Sequence, residues 1–218
     1  MLNKKGEINE IQLKGAGKTP YSRFADGRAV LRSSIREYLC SEHLYALGIP
    51  TTRSLAIVVS HKQKTIRDPY YDGFEIEENT AIVTRLAPSF WRFGSFEIFK
   101  GPDSQTGNPG PSPGLENEMI ENMFDYVIKY NFPEIKELYK DKDKKDMYLE
   151  VFKCIMNRTL HMVALWQSYG FCHGVLNTDN LSILGLTIDF GPFGMMEYFD
   201  KLLICNASDK DGLYSYTR

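Results

Sequence analysis

The chain has 218 residues, 43% of them apolar and 25% charged, with a formal net charge of -2. That length accommodates one domain or a compact two-lobed one with a sizeable core, and the composition is that of an ordinary globular protein. The near-neutral charge, without a basic run or an interleaved aromatic stripe, argues against a nucleic-acid binder, and no stretch approaches the roughly 20 apolar residues of a membrane helix.

The four cysteines, Cys40, Cys154, Cys172 and Cys205, show neither CxxC nor ligand-like spacing and read as reduced thiols rather than a zinc site. The N-terminal MLNKKGEINEIQLKG has no hydrophobic run and no Arg-rich amphipathic pattern, so it reads as domain interior, neither signal nor transit peptide. The C-terminal Tyr214 to Arg218 has no closing helix and reads as part of something longer.

Glu10 to Lys14 is a short strand leading into Gly15-Ala16-Gly17-Lys18-Thr19-Pro20. A phosphate-binding P-loop needs glycine five residues before its Gly-Lys pair; Gln12 stands there, so these glycines are read as a turn. Ser33 and Ser34 are expected to cap a helix running to about Leu47, with Ile35, Tyr38, Leu39 and Ala46 as its apolar face, stopped by Gly48 and Pro50. Glu37 lies in its first turns, where a lone carboxylate favours the helix dipole. Leu55 to Val59 and Ala81 to Leu86 are strands, and the charged His61 to Asn79 between them reads as a surface loop or insertion.

Pro88 to Phe96 is dense in aromatics and carries Arg92, seven residues after Arg85. Gly101 to Gly114 is a Pro- and Gly-rich loop. Leu115 to Tyr130 is a helix with Met119, Met123, Tyr126, Val127 and Tyr130 at helical spacing. The charge run Asp141 to Asp146 is a solvated connection to the longest helix, Met147 to Tyr169, whose core face is Val151, Phe152, Ile155, Leu160, Val163 and Trp166. His161 on that helix reads as a packed or surface histidine.

Gly170 to Gly194, GFCHGVLNTDNLSILGLTIDFGPFG, gathers His173, Asp179, Asn180 and Asp189 around two short apolar runs, Leu181 to Leu184 and Leu186 to Ile188. Split by Gly185, these predict two small strands joined by a tight turn. Such a hairpin would hold Asn180 and Asp189 on one side of a cleft, where an amide oxygen and a carboxylate suit a hard cation such as Mg2+. Asn and Asp in turns are also ordinary backbone caps.

The spacing of His173, Asn180 and Asp189-Phe190-Gly191 is close to the catalytic and metal loops of protein kinases. The kinase base is missing: Val175 occupies its position and cannot accept a proton, leaving Asp179 as the carboxylate within the loop.

On LKGAGKTPYSRFADGRAVLRSSIREYLCSE, LGIPTTRSLAIV, RLAPSFWRFGSFEIF, GFCHGVLNTDNLSILGLTIDFGPFG and CNASDKDGLYSY, the chain resembles the selenoprotein O family, also called YdiU. The resemblance runs from Leu13 to Tyr216. It implies an α+β, protein-kinase-like two-lobed fold truncated at both ends, with 1–86 as a partial N-lobe-like region and 87–218 as a partial C-lobe-like region. The glycine-rich strands before the lysine, and the C-terminal part with its Cys-x-x-Cys or Cys-x-x-Sec tail, are expected outside the chain.

The implied activity is transfer of AMP from ATP to Ser, Thr or Tyr hydroxyls of protein substrates, with a flipped nucleotide and Mg2+, or Mn2+ in its place. By the same resemblance Lys14 holds nucleotide phosphates and Glu37 is its helix partner. Arg85 and Arg92 grip the outward phosphates, Asn180 and Asp189 are metal ligands, and Asp179 is the base. The expected partners are proteins, with neither nucleic acid nor membrane, and the chain is expected to be a monomer. Mitochondrial placement follows from the resemblance alone, with cytoplasmic placement as the alternative. Two other readings stay open, a conventional kinase-like phosphotransferase and a non-catalytic nucleotide-binding or scaffold fragment.

Overall fold

The structure, a computed structural model, describes residues 8–19, 22, 25–69, 72–104 and 107–217, and of 116–118 only the backbone. Within the quoted motifs, Pro20, Tyr21, Arg23 and Phe24 lie outside the described residues, as do the initial MLNKKGE and the terminal Arg218. The architecture is α+β. The described residues divide into two compact units, Met1–Pro88 with Asp189–Gly191, and Ser89–Ile188 with Pro192–Arg218. Among the described residues no helix is long and apolar enough to cross a membrane.

The first unit is built on an antiparallel sheet centred on β4 (Ile76–Ala87). Strand β1 (Glu10–Lys14) pairs with its C-terminal half, from Glu10 opposite Ala87 to Lys14 opposite Val83. The two-residue β2 (Ala29–Val30) pairs with Ala81 and Thr80. Strand β3 (Arg53–Arg67) runs along nearly all of β4, with irregularities between Ser54 and Ala56 and between Val59 and Lys64.

The two expected strands therefore extend through most of the stretch read as a loop. The charges that suggest a loop form an exposed two-stranded arm, in which Lys64 meets Glu77 diagonally across the ladder at 2.7 Å. Near its far end, Asp26 accepts from Arg67 and from the Thr65 hydroxyl, both at 2.7 Å, and from the Arg28 amide at 2.9 Å.

After a turn at Gly15, Ala16 makes an isolated antiparallel bridge to Arg28 and Gly17 donates to the Gly27 carbonyl at 3.1 Å, and the next helix starts only at Leu31. Gly15 has φ +89°, and a Cβ there would sit 2.6 Å from the Ala29 nitrogen and 2.8 Å from the Ala81 oxygen. Glycine is what lets three chain segments meet at that point.

Helix α1 (Leu31–Ala46) departs from the expected face. Ser33 and Ser34 do not cap it; they lie within its first turn and donate back to the Val30 carbonyl at 3.0 and 2.9 Å. The stripe that packs on the sheet is Ser34, Glu37, Cys40, Ser41 and Leu44, while Ile35, Leu39 and Ala46 face outward and Tyr38 is half-buried. Small serines permit a close approach, and the Ser41 hydroxyl meets that of Ser54 on β3 at 2.7 Å. The helix stops as expected at Gly48, with φ +79°.

The second unit packs α2 (Glu116–Asn131), α3 (Pro133–Leu138) and α4 (Lys144–Tyr169) around Val127, Ile128, Phe132, Ile135, Val151, Ile155 and Ile183. The α2 stripe turns about one position from expectation: Val127 and Ile128 are buried, whereas Met119, Tyr126 and Tyr130 are exposed. On α4 the buried positions are Val151, Ile155, Met162 and Trp166, and Phe152 and Leu160 face outward. Spacings of four and seven keep the buried set on one line, and Phe152 lies about 100° off it. The charge run before α4 is its start rather than a connection, because the Asp143 side chain accepts from the Lys145 amide.

Two strands do not form within 181–188. Ser182 makes an isolated bridge to Arg92, and a turn closes from the Gly185 amide to the Ser182 carbonyl at 3.0 Å. The ladder in this stretch instead joins β5 (Phe171–Cys172) to β6 (Gly194–Met195). Gly185 has φ +66°, and a Cβ there would come within 2.7 Å of the Arg158 backbone on α4. Nearby, the Trp166 indole donates to the Thr187 hydroxyl at 2.9 Å.

Two predictions follow from this packing. Gly185→Ala is expected to cost at least about 2 kcal/mol of stability in urea unfolding, from left-handed backbone plus overlap with α4; an unchanged midpoint would show that the turn is not needed. At Asp26 the Arg67 guanidinium holds the carboxyl far below the usual range, helped by the Arg28 amide and the Thr65 hydroxyl against the cost of desolvation. A depressed carboxylate stabilises above its ordinary value of about 3.9 and loses that effect as pH falls below it. Amide exchange in the β3–β4 arm, corrected for intrinsic rate, is expected to lose protection as pH falls below about 4, and Asp26→Asn is expected to show the loss at neutral pH.

Candidate functional site

Four charged side chains converge within the first unit. Strand alternation puts Gln12 and Lys14 on one face of β1, and antiparallel register sets Gln12 opposite Arg85 of β4. Glu37 comes from the buried stripe of α1, and Asp189 from the short segment that belongs to this unit.

The Lys14 Nζ lies 2.6 Å from Glu37 Oε2 and 3.1 Å from Asp189 Oδ1. Arg85 Nη1 spans the same two carboxylates, donating to Glu37 Oε1 at 3.0 Å and to Asp189 Oδ1, and its Nη2 donates to Gln12 Oε1. The Glu37 and Arg85 side chains are each 4% exposed, Asp189 is 19% exposed and Lys14 is 33% exposed. Two positive and two negative groups thus balance, from a buried Arg85–Glu37 base to a Lys14 that faces outward. Burying either base charge alone would cost several kcal/mol, so the two depend on each other.

Asp189 itself has φ +60°, alone among the described non-glycine residues in having positive φ. Asp tolerates this region better than most residues, and the Gly191 amide donates to its carbonyl at 2.8 Å. Ile188, just before it, has its carbonyl 2.8 Å from His173 Nε2 in the second unit.

The second unit holds Arg92, Asp179 and Asn180 together. Asp179 and Asn180 sit in the single 3-10 turn Thr178–Asn180. Arg92 Nη1 donates to the Asp179 carbonyl at 2.6 Å, and Phe93 donates its amide to the Leu181 carbonyl at 2.9 Å. Asn180 Nδ2 donates to the Val175 carbonyl at 2.6 Å, which fixes which end of the amide is left to act as an acceptor. A Cβ on Gly94 would overlap the Asp179 carboxylate, so glycine there makes room for that side chain.

The structure therefore groups Lys14, Glu37, Arg85 and Asp189 in one unit and Arg92, Asp179 and Asn180 in the other. Three supports escape a sequence reading. Gln12, whose presence removes the P-loop, holds Arg85, and strand alternation relative to Lys14 is the signal that could have found it. Gly94 has no local signal. Asn206 donates to the Gly174 carbonyl at 3.0 Å from a distant stretch of chain. Beside it, Cys205 Sγ donates to the Cys172 carbonyl at 3.4 Å, and the proximity of the two thiols lowers that of Cys172 to about 7 and raises that of Cys205.

The donor set suits a divalent ion in kind, since an aspartate and an amide oxygen are both hard ligands. Among the described residues no group of three or more His, Cys, Asp or Glu side chains is arranged to hold a metal.

The protein is α+β and holds a lysine between a helix glutamate and a loop aspartate. The chain belongs to the SelO family, since the family model described as protein adenylyltransferase SelO matches residues 1–218. It is 57% identical over 207 residues to protein adenylyltransferase SelO-1, mitochondrial, of Danio rerio, covering 95% of this chain and 29% of that protein. It is 54% identical to the mitochondrial SelO of Mus musculus, covering 98% of this chain and 32% of that protein. It is 51% identical to the protein nucleotidyltransferase YdiU of Thiobacillus denitrificans, covering 98% and 38%. The chain thus spans about a third of the length of these relatives.

Unequal burial within the cluster gives a test. Arg85→Met, which removes the buried cation that Glu37, Asp189 and Gln12 share and leaves Glu37 to the half-buried Lys14, is expected to destabilise by about 3–5 kcal/mol, against about 1 kcal/mol or less for Lys14→Met. Equal losses in urea unfolding would contradict the buried-base arrangement.

Proposed function

We propose that this chain carries nucleotide-handling machinery of a protein adenylyltransferase, transferring AMP from ATP to Ser, Thr or Tyr hydroxyls of other proteins. The observation that carries this reading is Lys14 held 2.6 Å from Glu37 and 3.1 Å from Asp189. A protein-kinase-like arrangement, with 1–86 and 87–218 as partial N-lobe-like and C-lobe-like regions, accounts for that trio. The names of the relatives add the reaction class.

In the proposed reaction, the substrate hydroxyl oxygen forms a bond to the α-phosphorus of ATP, the bond from that phosphorus to the bridging oxygen breaks, and pyrophosphate leaves. The hydroxyl proton passes to Asp179 or, through it, to water. Negative charge grows on the departing β and γ phosphates, where Lys14, Arg85 and Arg92 stabilise it. Arginine suits that task through its fixed fork of donors. The buried Arg85 chiefly sets the charge and position of Glu37 and Asp189, and Lys14 is the cation of the cluster most open to a ligand.

Asp189 and Asn180 would hold Mg2+, or Mn2+ in its place, which when bound supplies charge neutralisation on the phosphates. A nucleotide laid in reverse places the reacting phosphorus away from the usual kinase base, which accounts for Val175. Mitochondrial placement is proposed from the names of the animal relatives.

ATP labelled at either the α or the γ phosphate tests the reading. Transfer of α label to protein hydroxyls is expected, lost by about a hundredfold or more in Asp189→Asn. Transfer of γ label would establish the kinase reading instead, and ATP binding with no transfer would favour the scaffold reading. Val175→Asp is expected to create no γ-label transfer.

A further inference from the structure

The second unit contains an apolar cavity of about 560 Å³ that neither the nucleotide nor the metal explains. Phe93, Phe96, Phe124, Phe152 and Ile183 form most of its wall, and Glu121 is its one charged lining residue. It opens outward: Phe152 is 62% exposed and Ile120, also in the lining, is 41% exposed.

Two features bear on what occupies it. The wall is continuous with the loop that carries Asp179. Phe93 donates its amide to Leu181, Ile183 donates its amide to the Trp91 carbonyl at 3.2 Å, and Gly94 lies against the Asp179 carboxylate. A polypeptide that brings a hydroxyl to Asp179 therefore has its own neighbouring residues within reach of this cavity. The rim carries Glu121 and Asp125, which share the ammonium of Lys144 at 2.5 and 2.7 Å, and Lys136 is close enough to act on Asp125 as well. The Tyr148 hydroxyl donates to Asp125 at 2.7 Å and fixes that edge.

We propose that this cavity is a substrate-specificity site, which takes a large apolar side chain, aromatic or Leu-like, from an extended segment of the protein being modified. The proposal rests on the adenylyltransferase reading for the identity of its partner, and it adds a recognition determinant separate from the phosphate site. A polar surface would leave target choice to the acceptor hydroxyl alone, whereas an aromatic-lined hollow discriminates by the area it removes from water.

The test uses the 218-residue chain and fluorescein-tagged short peptides in a Gly/Ala background, each with one Ser, one Lys and a Phe scanned along the sequence. Fluorescence anisotropy reads binding without requiring catalysis. At one or two offsets from the Ser, the Phe peptide is expected to bind about tenfold or more tighter than its Ala counterpart. Phe152→Lys and Ile120→Lys are expected to erase that ratio while leaving the weak binding of the Ala peptide unchanged.

Both positions are solvent-exposed, and an unchanged unfolding midpoint confirms that each variant is folded. Equal binding of Phe and Ala peptides at every offset, or a preference that survives both substitutions, overturns the proposal. Label transfer from α-labelled ATP, run in parallel, separates the two claims. A Phe preference in binding without transfer defeats the adenylyltransferase reading and leaves the cavity an apolar-peptide site, and transfer without a Phe preference defeats only the specificity site.

Discussion

The first unit depends on the Arg85–Glu37 pair, two opposite charges removed almost entirely from water. Neither is tolerable there alone, so strand β4 and helix α1 are bound to one relative placement. Everything else in the cluster is arranged around that base. Gln12 takes a further guanidinium donor, Asp189 accepts from both cations, and Lys14 completes the neutral set at its open end. The cluster is charge-balanced by itself, and Lys14 is its more exposed cation. Pre-set electrostatics is what phosphate chemistry asks of a protein, because the positioned charges then need little rearrangement when new charge develops.

The second unit solves a different problem, the placement of a polar loop on an apolar scaffold. Thr178–Asn180 is too short to stabilise itself, and it is held by the Arg92 side chain, the Phe93 amide and the Asn180 side chain. Several of these come from the aromatic segment 91–96, which also packs against the helical core. That segment therefore serves core, loop and cavity wall together. Loop geometry and cavity shape are coupled through it.

Exposed apolar side chains mark where local patterns misled. Ile35 and Leu39 on α1, and Phe152 and Leu160 on α4, all satisfy a helical period yet face away from their helices' packed sides. In α1 the winning stripe is mostly polar or small, because Glu37 must reach Arg85 and the serines let helix and sheet come close. In 61–79, high charge suggested a loop, but charge of alternating sign is also compatible with an exposed two-stranded ladder. Periodicity identifies that an element exists; it does not say which of two candidate faces has a partner.

The sequence by itself determined the elements that have local causes: the strand at Glu10–Lys14, the stop at Gly48 and the long helix ending at Gly170. Each of those rests on residue type and spacing within a few turns of chain. Only the tertiary structure decided that Arg85 is buried rather than open, that Gln12 supports it, that Gly94 makes room for Asp179, and that 181–188 forms a turn instead of a hairpin. These depend on contacts between segments far apart in the chain, and the free energy of burying or pairing a group is fixed by what lies across from it, which no local window contains.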